Sequence, residues 1–324
     1  MRKLIGAVAG LAALIAQGGA GAQDNWPSRP IRLIVPFAAG GNTDAVARVA
    51  ADYLQRALNG ASVIVENRGG AGGIVGTEAV AKAAPDGYTL CVCSIGSITV
   101  APALEKLPYD PLMDLIPISL LGTNALVLIA HPSLQAKSVQ DVIKLAKEKP
   151  KSLDYGSSGV GGLMHISALL FQAKTETELV HVPYRGGAPA TQGLVAGNVK
   201  LVFANMSDAI GQIEGGTVRA LGVTTAARTP AAPQIPTIAE SGVPGFHAES
   251  WNALFAPFGT PQAIVDRLAK TAADMAKDPT VQKRMADFGS VAAANTPQEF
   301  AQMLRNETTQ WADLLKQAGL AKTP

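Results

Sequence analysis

The stretch Ile31-Arg32-Leu33-Ile34-Val35-Pro36-Phe37-Ala38-Ala39-Gly40-Gly41-Asn42-Thr43-Asp44 decides the fold. Its aliphatic opening, Ile31 to Pro36, has the composition of a buried strand. Pro36 and the Gly40-Gly41 pair then break the run, and Asn42 or Thr43 can cap a helix predicted over Thr43 to Leu58. A helix start exposes unpaired backbone N–H groups and a partial positive charge, which favours an anion. The same residues also suit a plain turn whose glycines serve geometry, with Asp44 complementing the helix dipole.

Working outward, the strand-then-helix pattern repeats. Strand-like runs are predicted at Ser62 to Glu66, Tyr88 to Ser94, Ala125 to Ala130, Asp154 to Ser157, Glu178 to Val182, Lys200 to Phe203 and Val218 to Thr224. Helices are predicted at Gly76 to Ala83, Val139 to Lys149 and Met164 to Ala173. Three more, at Pro261 to Lys277, Pro279 to Phe288 and Pro297 to Gln317, each open on a proline, whose fixed φ and missing N–H suit the first turn. Such alternation means an α/β fold with largely parallel sheets. No repeat of solenoid or propeller length is visible. About 300 residues are more than one core usually serves, so two lobes are expected. The chain is expected to divide into residues 23–124 and 247–324 for the first lobe and 125–246 for the second.

The N-terminus reads as a secretory leader. Arg2 and Lys3 precede the apolar run Leu4 to Ala16, and Ala20-Gly21-Ala22 has the form of a cleavage site. The apolar run is too short to cross a bilayer. No cysteine lies near the cleavage site to accept a lipid, so an exported, soluble chain starting after Ala22 is expected. Without Arg2 and Lys3 the basic count of 27 falls to equal the 25 acidic residues. A neutral chain argues against nucleic acid and anionic membrane as partners.

Cys91 and Cys93 are the only cysteines. At alternate positions of one strand their Cα atoms should stand about 6.5–7 Å apart, at or past the disulfide limit, so buried free thiols are expected rather than a bridge.

Two further loops repeat the first motif. Tyr155-Gly156-Ser157-Ser158-Gly159-Val160-Gly161-Gly162 precedes the helix carrying His165, and Val182-Pro183-Tyr184-Arg185-Gly186-Gly187-Ala188-Pro189-Ala190 runs from a strand end into a helix start. Ligands in open α/β sheets bind beyond the C-terminal strand ends. Three such loops on two lobes therefore point to one cleft between them.

Enzyme signatures fail on specific residues. Gly70-Ala71-Gly72-Gly73-Ile74-Val75 lacks the last glycine of the dinucleotide fingerprint, and no Gly-Lys pair offers a P-loop. Gly156-Ser157-Ser158-Gly159-Val160 ends in Val where a nucleophile elbow needs Gly, and no histidine is placed by sequence to activate the serine. His131, His165, His181 and His247 lack metal-site spacing, so no metal or other cofactor is expected. His165 reads more as a packed or capping histidine than as a ligand contact.

With these loops quoted, the chain from about Trp26 to Leu320 resembles the substrate-binding receptors of tripartite tricarboxylate transporters, the Bug family. The resemblance rests on the first stretch together with Glu66-Asn67-Arg68-Gly69-Gly70-Ala71-Gly72-Gly73, Pro85-Asp86-Gly87-Tyr88-Thr89-Leu90, Leu107-Pro108-Tyr109-Asp110-Pro111, Tyr155 to Gly159, His181 to Gly186 and Pro236-Thr237-Ile238-Ala239-Glu240. It implies a two-lobed Venus-flytrap fold of the periplasmic-binding-protein kind, monomeric and not an enzyme. Such a receptor would close on a small carboxylate and hand it to membrane permease subunits. It further implies contacts from Phe37, Ala38, Gly40, Asn42, Thr43, Asp44, Ser94, Ser97, Ser157, Gly159, His165, Tyr184, Ala188, Asn205 and Asp208. Ala38 stands where proline is common, Arg185 where lysine is usual and Gly162 where serine is frequent. Rival readings are a ligand sensor for a signalling partner and a hydrolase built on Ser157 or Ser158.

Overall fold

The computed structural model describes residues 26–317 apart from residue 230, so the leader read over Met1 to Ala22 lies outside the described residues. Strand β1 (Ile31–Val35) runs parallel to both β2 (Val63–Asn67) and β3 (Thr89–Ser94). Helix α1 (Asn42–Ala57) follows β1, α2 (Ile74–Ala81) follows β2, and a π-helical turn over Gly96–Val100 leads from β3 into the short α3 (Ala101–Leu104). Leu33, Ile34 and Val35 are buried beneath them, as the aliphatic opening requires.

The second sheet repeats the parallel arrangement. Strand β5 (Asp154–Ser157) lies between β6 (Val180–Pro183) and β7 (Leu201–Asn205), parallel to both. Here α4 (Val139–Glu148) precedes β5, α5 (Leu163–Thr175) precedes β6, α6 (Gly187–Val195) precedes β7 and α7 (Met206–Glu214) follows it.

The sheets are less parallel than the alternation predicts, because two long antiparallel strands join them. Strand β4 (Leu115–Ala130) pairs with β9 (Glu249–Pro257) as far as Ala125, and from Leu126 onward with β7 and then β8 (Arg219–Val223). Only the last six residues of β4 are legible as a strand. Pro117 and Gly122 interrupt its first half, and the register against β9 slips at Pro117/Ser119 and at Leu120/Gly122, where those residues cannot keep a regular ladder. Strand β9 is buried from Ser250 to Pro257, so it shows no alternation.

Thr224 ties the two crossings together. Its N–H donates to the Leu126 carbonyl, its hydroxyl donates to that of Ala248 at 2.5 Å, and the same oxygen accepts the Leu126 N–H. The chain then continues through α8 (Gln262–Lys277), α9 (Pro279–Ala286) and β10 (Ser290–Ala292), which adds to β4. It ends in α10 (Pro297–Gln317), which opens with a reciprocal cap: Thr296 Oγ1 accepts the Glu299 N–H and Glu299 Oε2 accepts the Thr296 N–H.

The expectation of free thiols is corrected. Cys91 and Cys93 are joined by a disulfide and both are fully buried. The strand contracts between them to a Cα separation of 5.4 Å. That is well inside the range a disulfide spans, whereas the sequence estimate assumed a fully extended strand.

Candidate functional site

The lobes built on the two sheets meet through glycine backbone. A Cβ on Gly72 would stand 2.2 Å from the Val160 carbonyl oxygen, and one on Gly159 would stand 2.7 Å from the Gly72 nitrogen. The Ala38 N–H donates to the Arg185 carbonyl across the same junction at 3.2 Å. Only residues without side chains let the backbones approach this closely.

Between these contacts lies a narrow cavity of about 30 Å³, room for about two water molecules. Phe37, Gly41, Asn42, Thr43, Ser94 and Ser250 line it from the first lobe, and Ser158, Leu163, Met164, Gly187 and Asn205 from the second. Four helices begin on this wall: α1 at Asn42, α5 at Leu163, α6 at Gly187 and α7 just after its N-cap Asn205. Each helix start carries roughly half a positive charge on its unpaired N–H groups. None of the lining residues is charged, so what the cavity offers an anion is backbone dipoles and hydroxyls rather than a charged side chain. Larger grooves of about 440 Å³ beside Trp26 and Arg267, and about 640 Å³ beside Tyr109, gather no comparable set of helix starts.

Of the residues expected to touch a ligand, Phe37, Asn42, Thr43, Ser94 and Asn205 line the cavity. Asn42 does so with its backbone: its amide donates to Ser290 Oγ and accepts from Asn252 Nδ2, which locks the side chain into the first lobe. Ala188 faces the cleft beside Gly41, its nitrogen 3.7 Å from where a Gly41 Cβ would stand. Asp208 adjoins the wall, packed against Gly41, Gly187 and Asn205.

The others are placed outside the lining. Asp44 shapes the loop from below, one oxygen accepting from Gly40 N–H and Arg48 and the other from Asn67 Nδ2. Burial pushes the Asp44 pKa up, but the hydrogen bonds from Arg48, Gly40 and Asn67 outweigh it and hold the carboxyl below its usual value. Gly40 is exposed, with its N–H spent on Asp44, and Ala38 spends its own on Arg185. Ser97 is fully buried, its hydroxyl accepting from Thr77 and its carbonyl from Tyr109. Gly159 packs on Gly72, and the Tyr184 ring stands over Gly156 and Gly193.

Ser157 and His165 belong to a histidine cluster behind the wall. His181 lies on the strand next to Ser157, and its Nε2 is 2.6 Å from Ser157 Oγ, a proximity that spacing along the chain could not reveal. Ser157 is fully buried and also bonds both the N–H and the carbonyl of Gly159, so its hydroxyl closes a turn and is shut off from the cleft. The neighbouring Ser158 lines the cavity instead, and its Oγ would stand 2.7 Å from a Cβ on Gly162. The glycine at 162 therefore leaves room for the Ser158 hydroxyl.

His165 stacks on His181 with ring centroids 4.1 Å apart, and its Nδ1 accepts the Gly161 N–H. Burial, helped by the charge of His181, lowers the His165 pKa to about 4. The unfolded chain therefore binds more protons than the folded one between about pH 6.5 and 4, and stability falls as pH drops through that window. Asp208, raised to about 6 by burial, acts with the opposite sign between its ordinary value and 6. The two titrations oppose each other, and only a comparison of variants isolates that of His165. Between about pH 7 and 4.5, urea denaturation should show the native protein losing on the order of 2–3 kcal/mol more than His165→Asn. Equal losses would mean that the folded state carries His165 protonated.

Gly41, Ser158 and Gly187 sit one residue from positions picked out in the sequence. Leu163 and Met164 follow from the helix start after the second glycine loop. Ser250 carried no signal, because its strand was not legible.

A two-lobed α/β protein that brings four helix starts to one interlobe cavity is a solute-binding protein. The family described as tripartite tricarboxylate transporter family receptor matches residues 46–320, and the chain belongs to it. The chain is 36% identical to protein BugT of Bordetella pertussis over 316 residues, covering 97% of this chain and 94% of that one. Among solved structures it is similar to Rpa4515 of R. palustris with adipate, with a TM-score of 0.88, 36% identity and coverage of 92% of this chain and 99% of that one. It is also similar to the periplasmic binding protein BugD, with a TM-score of 0.86, 35% identity and coverage of 92% and 100%. The Bug-family resemblance and the two-lobed binding-protein fold expected from the sequence are thus borne out, and the chain is a receptor rather than an enzyme.

Proposed function

We propose that this receptor is exported to the periplasm, is cleaved after Ala22, and captures a small carboxylic acid between its lobes for delivery to membrane permease subunits. The observation that carries the reading is the convergence of four helix starts on a cavity whose lining holds hydroxyls and amides but no cation. Such a set of donors fits a carboxylate, which needs several convergent N–H and O–H groups. The adipate held by the Rpa4515 structure supports the same ligand class.

In this reading the lobes are residues 23–124 with 247–324, and residues 125–246. The protein acts as a monomer whose flexing points are the two crossings tied at Thr224. The acid docks on one lobe and closure adds donors from the other, so the ligand shifts the equilibrium by binding the closed form better. Among the described residues no helix is long and apolar enough to cross a membrane.

Uptake of a labelled acid that the purified protein binds should disappear in cells lacking this chain and return on complementation. Unchanged uptake with loss of ligand-induced gene expression would replace transport by sensing.

A further inference from the structure

The Cys91–Cys93 disulfide sits on the strand whose end forms part of the cavity wall. Ser94 is the next residue, the last of β3, and it lines the cavity. The sulfurs lie on the side of β3 that faces α2, where Thr77 Oγ1 is 3.5 Å from Cys93 Sγ. The ladder between β3 and β1 runs from Thr89 opposite Arg32 to Cys91 opposite Ile34 and stops there, although β1 continues to Val35. From Val92 to Ser94 the strand is held by β9 alone, with Ser94 opposite Asn252. The contraction of β3 therefore begins where one of its two neighbouring strands lets go.

Within this span the bond draws the Cα atoms of Cys91 and Cys93 to 5.4 Å, against about 6.5–7 Å in an extended strand. Without the bond the strand relaxes toward the longer spacing. Upstream of Cys91 it is fixed on both sides, so the added length, about 1 Å or more, is carried into Ser94 and the π-helical turn after it. A hydroxyl holds a carboxylate oxygen at about 2.5–2.7 Å, and a shift of that size stretches the contact to about 3.5 Å or beyond, where the hydrogen bond is lost. A second route leads from the sulfurs to the lobe junction. Thr77 Oγ1 is 2.9 Å from both Ser97 Oγ and the Gly73 carbonyl oxygen, and Gly73 follows the Gly72 that abuts Val160.

We propose that the Cys91–Cys93 disulfide sets the affinity of the cleft by fixing the place of Ser94, so that the chain with the bond binds acids tightly and the dithiol chain binds them weakly. This rests on the carboxylate-receptor reading and adds to it a positioning element. Neither cysteine is part of the cavity lining, and both act through Ser94.

The test begins with thiol alkylation of protein unfolded without reductant. No labelled cysteine is expected, and labelling of both Cys91 and Cys93 would overturn the proposal. Calorimetry then compares protein refolded with its disulfide and protein refolded in excess dithiothreitol, whose own thiols are oxidised to a disulfide as Cys91 and Cys93 take up two electrons and two protons. The two forms carry the same side chains and differ in one bond. The probe is whichever of succinate, glutarate, adipate, malate, citrate and L-leucine binds the oxidised protein tightest. Reduction should weaken its binding by about tenfold or more, the loss of one hydrogen bond to a charged group. Ser94→Ala should cost about as much in the oxidised protein, yet less than about threefold in the reduced one, where the hydroxyl already stands out of reach. A general loosening of the fold would leave those two costs equal. Equal affinities of the oxidised and reduced forms, or an equal cost of Ser94→Ala in both, would overturn the proposal and leave the carboxylate reading standing. Should the reduced chain fail to refold, Cys91→Ala/Cys93→Ala takes its place in the same comparison. If none of the acids binds the oxidised protein, the carboxylate reading falls and takes this proposal with it.

Discussion

Gly72→Ala is expected to weaken ligand binding by about 100-fold or more while leaving the protein folded, a loss of roughly 2.7 kcal/mol of binding energy. A Cβ at this position would stand 2.2 Å from the Val160 carbonyl oxygen and 2.9 Å from the Gly162 nitrogen, both on the opposite lobe. Backbone atoms cannot yield as a flexible side chain would, so the lobes must stop short. The donors of the second lobe then lose hydrogen-bond distance. The substitution also has a local cost, because Gly72 has φ +62° and a side chain there is strained by about 1–2 kcal/mol. Gly60→Ala separates the two effects. Gly60 has φ +79° and open space around its missing Cβ, so it carries comparable strain with no clash between lobes. Both variants should lose similar stability in denaturant titrations without ligand, and only Gly72→Ala should lose affinity. Equal affinities would show that the glycine junction is not part of closure.

Phe300→Ala is expected to lower unfolding free energy by about 3–5 kcal/mol, with a fall in melting temperature on the order of 10 °C. Phe300 is fully buried on α10, with its ring centroid 5.3 Å from Phe255 and 5.6 Å from Trp251, both on β9. The pair of aromatic residues fastens the last helix to the strand that carries the chain back from the second lobe. Removing the ring leaves a cavity in close-packed surroundings that cannot collapse to fill it. Urea denaturation followed by circular dichroism reads the loss directly. A loss below about 1 kcal/mol would mean that α10 adds little to the core. The cavity lining lies elsewhere, so ligand affinity at low denaturant should stay within a few-fold of the native protein.

The parts of the molecule legible in its sequence are those specified by neighbours along the chain. Ile31 to Asp44 reads as strand, turn and helix because the aliphatic run, the glycines and the cap residue lie within fourteen positions, and the structure forms β1 and α1 there. The C-terminal helices read equally well, since each opens on a proline. What escaped depends on partners distant in sequence. The first half of β4 looks unlike a strand because Pro117 and Gly122 are accommodated only by slips against β9. Cys91 and Cys93 approach to 5.4 Å through a contraction of β3 that no spacing rule expresses.

The site divides in the same way. Thr43 and Ser94 lie at the ends of legible elements and line the cavity. Asp44, Ser157 and His165 lie on the same loops, yet they turn inward to hold those loops in shape. A loop rich in polar residues shows that a site is near. Which of its side chains face the ligand is settled by hydrogen bonds to Asn67 and His181, residues that belong to neighbouring strands.

The central claim is that neutral donors on two lobes grip a carboxylate, and a matched titration tests it most directly. Purified protein, refolded to remove carried-over ligand, is titrated in a calorimeter with L-leucine and L-leucinamide, then with adipate and adipamide. These pairs differ at the carboxyl group. The account predicts one-to-one binding of at least one acid, with its amide weaker by 100-fold or more, because the amide brings no negative charge to the four helix starts. An amide that binds as tightly as its acid would contradict the account.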